Sequence, residues 1–176
     1  GSGNETAATT STTGKGYLFI IYIDGPGADG VWDLGTDYVK IEVNSGSVGT
    51  PNGLATPAAV DKDGDYDIDV IYAGDLNGNM WRFNVSDPTP ANWVVAYSGQ
   101  PLFVARDASN NRQPITVRPE VSPHPYGTAS GYMVLFGTGR YIDAGDNATT
   151  GTQTQTFYGI WDQNLVNNTN TIPTRA

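Results

Sequence analysis

Five of the nine residues from Asp61 to Asp69 are aspartates, one at every second position. Two unit charges ~4 Å apart repel by about 1 kcal/mol in bulk water and by several times that near a protein surface. A chain that folds around such a run must either splay its carboxylates into solvent or neutralise them with a cation. The spacing favours the second. Calcium takes about six to eight oxygen ligands, and one loop can offer them from positions 1, 3, 5, 7 and 9, the seventh through its backbone carbonyl. Asp61, Asp63 and Asp65 fill the first three positions, Asp67 falls at the carbonyl position and Asp69 at the ninth. Magnesium fits less well, because it demands a near-ideal octahedron and keeps its waters. Zinc would find few of its preferred nitrogen and sulfur ligands in a chain with one His and no Cys.

The loop is not an EF-hand. Its twelfth position is Tyr72 instead of a bidentate Glu, and its glycine, Gly64, stands fourth, with Tyr66 sixth. The residues that follow, Ile68 to Gly74, read as a strand. The expectation is therefore a calcium-binding turn between strands. A solvated acidic turn is the plain alternative.

The rest of the chain points to β-structure. It has 22 Gly, 11 Pro, 10 Tyr and 4 Trp among 176 residues, and no long helical period. Short strand-like runs recur between turn signals, the pattern of an all-β sandwich, barrel or propeller. Strands are expected within 16–24, 38–44, 57–60, 68–74, 78–85, 93–97, 101–105, 114–121, 132–137, 138–142 and 156–161. Pro119 marks its run as an edge or interrupted strand. Asn77 and Gly78 predict a two-residue hairpin turn, with Trp81 and Phe83 on one face of the second strand and Met80 and Arg82 on the other.

YAGDLNGNMWRFNV and LFGTGRYIDA each read as strand, small-residue turn and returning strand. A unit every ~40–50 residues is the period of propeller blades. The fold class is thus all-β: a β-propeller or part of one, with three to four blade-like antiparallel units. Residues 1–15 read as a polar linker or arm, 16–162 as the propeller-like domain, and 163–176 as a loosely ordered tail.

A net charge of −9 makes nucleic acid and anionic lipid poor partners. No apolar run is long enough to span a membrane as a helix.

The acidic turn, the hairpin YAGDLNGNMWRFNV after it, and then PITVRPEV, YMVLFGTGRYI and TFYGIWD occur in an order that resembles the C-terminal β-propeller region of the PilY/PilC family. These are type IV pilus biogenesis factors and tip-associated adhesins. The resemblance covers about residues 16–162 and a later portion of a longer domain. It implies calcium held by Asp61, Asp63, Asp65 and Asp69 through side chains and by Asp67 through its carbonyl. It implies control of pilus assembly, extension against retraction and hence twitching motility by calcium occupancy. It implies partners among pilus subunits or minor pilins, a host-cell receptor for adhesion, and a place at the bacterial surface, the pilus tip or the outer membrane. The Arg-Gly-Asp tripeptide of some members is absent; Ala105-Arg106-Asp107 does not replace it.

Other readings are weaker. The acidic turn also resembles those of FG-GAP propellers, where the metal is only a staple, but such turns recur once per blade and one is visible here. Quinone-dependent dehydrogenases also use aromatic, Gly-rich propellers. His124, the single His, has no evident partner for acid–base work and reads as a turn residue. Gly137-Thr138-Gly139 opens no helix and reads as a turn or bulge. Trp32, Trp81, Trp93 and Trp161 could stack on sugars, yet read first as packing residues. No enzyme activity is expected.

Overall fold

A computed structural model describes residues 13–147 and 153–163. Three antiparallel sheets are built from strands that follow one another in sequence. The first pairs β1 (Tyr17–Ile21) with β2 (Tyr38–Glu42), Tyr17 opposite Glu42 and Ile21 opposite Tyr38. The central sheet runs β3 (Ala58–Val60), β4 (Val70–Gly74), β5 (Asn79–Asn84) and β6 (Val94–Val95). A further short strand, β7 (Phe103–Val104), pairs with the other half of β5. The third sheet is the meander β8 (Glu120–Pro123), β9 (Tyr132–Gly137) and β10 (Phe157–Asp162).

The central sheet is covered on both faces, which is why every residue of β4 is buried. Alternation divides its side chains. Ile71, Ala73, Trp81 and Phe83 join Leu18, Ile41 and Val43 of the first sheet's side in one apolar cluster. Val70, Tyr72 and Met80 join Val134, Phe136 and Ile160 of the third sheet in a second cluster. Each large side chain so enclosed contributes roughly 1.5–3 kcal/mol. β9 shows the same alternation, with Tyr132, Val134 and Phe136 turned inward. The blade-like stacking is the all-β propeller architecture expected from the sequence, and the partition of Trp81 and Phe83 from Met80 and Arg82 is as expected.

Three expectations are corrected. The run 114–121 is not one strand: Ile115 makes an isolated bridge to Gly139, and β8 starts only at Glu120, after Pro119, which has no N–H for a ladder. The returning strand after β9 is not Thr138–Ile142 but β10, with Phe157 opposite Gly137 and Asp162 opposite Tyr132. Thr138–Ile142 leaves the sheet because its polar groups are drawn elsewhere. Arg140 binds Asp146 at 2.8 Å, and the N–H of Ile142 donates to the same carboxylate at 2.9 Å. The β4–β5 connection is also not a two-residue turn. Only Gly78 is left-handed (φ 78°), and the loop closes from Asp75 N to Asn79 O at 3.0 Å. That is a three-residue loop with glycine at the bulge position. The expected arm and tail fall almost wholly on 1–12 and 164–176, outside the described residues.

Candidate metal centre

The acidic turn leaves β3 at Val60 and enters β4 at Val70. Its two ends are tied together: Asp69 N–H donates to Val60 O at 3.0 Å, and Val85 N–H donates to Asp69 O at 2.8 Å. Within it the aspartates organise the backbone. Asp61 Oδ1 accepts from Gly64 N at 2.7 Å and Oδ2 from Tyr66 N at 2.9 Å. Asp63 accepts from Asp65 N at 3.3 Å, and Asp65 from Asp67 N at 2.9 Å. These contacts hold the Asp61 carboxyl below its usual pKa, the Gly64 N–H contributing most. The turn bends at Gly64 (φ 84°) and again at Tyr66 (φ 76°). Tyr66 occupies the sixth loop position, where an EF-hand uses glycine for its sharp turn.

Carboxylate oxygens of Asp61, Asp63 and Asp65 lie within 4.8 Å of one another. Asp67 and Asp69 are outside that group. Asp69 turns Oδ2 to the N–H of Lys62 at 2.7 Å, so its carboxylate faces back across the base of the turn. The three gathered carboxylates suit a hard, oxygen-seeking divalent cation of calcium's size.

Matched against family models, residues 2–175 correspond to the PilY1 beta-propeller domain. This chain belongs to that family. The type IV pilus biogenesis factor PilY1 of Pseudomonas aeruginosa is 38% identical over 169 residues, covering 86% of this chain and 14% of the relative. A PilY1 homolog of Xylella fastidiosa is 39% identical over 164 residues, covering 86% of this chain and 10% of the relative. The crystal structure of the Pseudomonas aeruginosa PilY1 C-terminal domain superposes with a TM-score of 0.63 at 39% identity, over 72% of this chain and 29% of that one. The chain therefore spans a small part of the PilY1 proteins it matches.

Two fully buried aspartates of this PilY1-family chain escaped sequence reasoning. Asp75 is fully enclosed. Its Oδ1 accepts from Asn77 N at 2.9 Å and Asn79 N at 2.8 Å. Its Oδ2 accepts from Asn52 Nδ2 at 2.8 Å, Asn79 Nδ2 at 2.7 Å and Trp81 Nε1 at 2.8 Å. The Gly-Asp-Leu-Asn-Gly-Asn string is thus a carboxylate and the donors that saturate it, and the signal was the Asp followed by two Asn and a Trp. Asp162 is equally buried and pairs with Arg82 Nε at 3.0 Å. Nothing local marks it, since its partners lie 65 to 90 residues away.

The remaining candidates sort simply. Trp81 is core, whereas Trp32 and Trp161 are 47% and 43% exposed. His124 follows β8 in a turn and stacks on Trp161 at 4.6 Å. No helix among the described residues is long and apolar enough to cross a membrane.

Proposed function

We propose that the Asp61–Asp69 turn binds calcium and that its occupancy tunes the part this domain plays in type IV pilus assembly. The observation that carries the reading is the convergence of Asp61, Asp63 and Asp65 on one point, in a bend whose sixth residue is left-handed without being glycine. Asp67 would add its carbonyl, and Asp69 the carboxylate oxygen that Lys62 does not hold. When bound, calcium supplies the positive charge that relieves the repulsion within the run. The chain's own residues do the rest: backbone N–H groups orient the carboxylates, and the Asp69 backbone ties the turn to β3 and β5.

Relatives named as pilus biogenesis factors support the wider setting. In that setting the domain is a non-enzymatic surface component that meets pilus subunits or minor pilins outside the cell, where calcium is near millimolar. Calcium occupancy biases extension against retraction, and with it twitching motility and adhesion to host surfaces, by ordering the turn and its hairpin. Calorimetric titration with calcium chloride tests the site: one binding event is expected for this chain and none for Asp65→Ala. A flat titration of the unaltered chain at millimolar calcium overturns the proposal.

A further inference from the structure

Asp162, the last residue of β10, gathers three groups from across the interface between the third and central sheets. Its Oδ2 accepts from the Tyr72 hydroxyl at 2.5 Å and lies 3.0 Å from Arg82 Nε; its Oδ1 accepts from the Tyr97 hydroxyl at 2.7 Å. Tyr72 and Arg82 face each other across β4 and β5. Tyr97 is held left-handed (φ 55°) in the single turn Ala96–Gly99, its ring 5.7 Å from the Arg82 guanidinium. Left-handed backbone is costly for a bulky residue, so other contacts must hold it there.

This buried cluster stands close to the acidic turn along the chain and across the sheets. Tyr72 is three residues beyond Asp69 on the strand the turn feeds. Asp69 is itself stitched to Val60 and Val85, at the ends of the two strands that flank β4. On β9, Tyr132 is the register partner of Asp162 and is buried. The register thus sets Tyr132 opposite Asp162 at the end of β9.

We propose that Asp162 is a positioning residue for the cation turn: by pinning Tyr72 and Arg82 it fixes the strands from which Asp69 is hung, and cation binding in return tightens the docking of the β8–β10 sheet. This inference rests on the calcium reading above. Thermodynamic linkage makes the effect reciprocal: whatever Asp162 adds to calcium affinity, calcium adds to the hold of Asp162.

The test titrates calcium into the full chain and three variants. Asp162→Asn keeps the shape but removes the charge that Arg82 faces, and is expected to weaken calcium binding on the order of tenfold. Tyr97→Phe removes one hydrogen bond from Asp162 and is expected to weaken binding less, in the same direction. Ile41→Ala loosens the other apolar cluster and is expected to leave calcium affinity unchanged, which separates positioning from general destabilisation. Hydrogen exchange supplies a second readout: calcium should slow the amides of β9 and β10 in the unaltered chain and slow them less in Tyr97→Phe. Equal calcium affinity in the unaltered chain, Asp162→Asn and Tyr97→Phe overturns the proposal. Should Asp162→Asn fail to fold, Tyr97→Phe alone decides it. Absence of any calcium heat in the unaltered chain overturns the calcium reading itself, and this inference with it.

Discussion

Tyr66 is 94% exposed, so no packing compensates its left-handed backbone. Such a conformation costs an L-residue with a bulky side chain roughly 1–2 kcal/mol, and Asn, which tolerates it, much less. Tyr66→Asn should therefore stabilise the chain by about 1 kcal/mol, read as a rise in the thermal midpoint without added metal. An unchanged midpoint would mean that the turn relaxes around residue 66. Asp75 is the opposite case. Asp75→Ala would strand the donors of Asn52, Asn79 and Trp81 in the interior. Each unmet buried donor costs about 1–3 kcal/mol, and the sum should be at least ~3 kcal/mol in urea unfolding. Asp75→Asn keeps one accepting oxygen and should cost less. The two residues also mark what a sequence can disclose. Alternating aspartates state their spacing locally, so the acidic turn is legible. A single aspartate in a hairpin reads as a turn former, and its burial depends on Asn52, 23 residues away.

At the scale of elements, some strands were readable from alternation and β-branched residues, and the expected 132–137 and the observed β9 are identical, whereas the β-branched run 114–121 yields only a bridge at Ile115 before β8. Pairing was readable only between near neighbours. β4 and β5 find each other through a short loop, but β9 passes over the adjacent Thr138–Ile142 for β10, because Arg140 and Asp146 commit the intervening chain to a loop. Gly74 records another long-range demand. A Cβ there would lie 2.2 Å from Ile115 Cγ2 and 3.0 Å from Ile115 O, so the strand must be bare where Ile115 crosses it. Ile115 N–H also donates to Asp75 O at 2.9 Å, which leaves that segment little room to retreat. Gly74→Ala should cost roughly 1–3 kcal/mol as an overpacked core. Pairing it with Ile115→Ala should recover part of that loss, and a double-mutant cycle in urea measures the recovery. Simple addition of the two losses would show that the Ile115 side chain beyond Cβ is not what the glycine accommodates.

For the molecule as a whole, three sheets share two apolar interfaces, and acidic groups decide how that stack responds to pH. Hydrogen bonds from Gln153 and Asn111 hold Asp107 at about 2, and the Arg140 guanidinium with neighbouring N–H groups holds Asp146 at about 2. Asp61 is lowered as well. A carboxyl whose folded pKa is depressed stabilises the fold fully above its unfolded value and loses that contribution as pH falls through the folded one. The ordinary aspartate value is 3.8, so stability should decline between about pH 4 and 2, and Asp146→Asn should flatten part of the decline. The proposed calcium site would add a second dependence on pH, because carboxylate ligands bind a cation only when ionised. If the turn binds calcium as proposed, a hundredfold excess over Kd should stabilise the fold by about 2.7 kcal/mol, several degrees in the thermal midpoint for a chain of this size. The calcium-induced rise should be full at pH 5 and shrink toward pH 3, as protons compete with the ion for the same carboxylate oxygens. Thermal unfolding with calcium and with chelator at the two pH values measures both. A calcium effect that survives undiminished at pH 3 would place the ion away from the aspartate turn, because proton competition must weaken any site built of carboxylates.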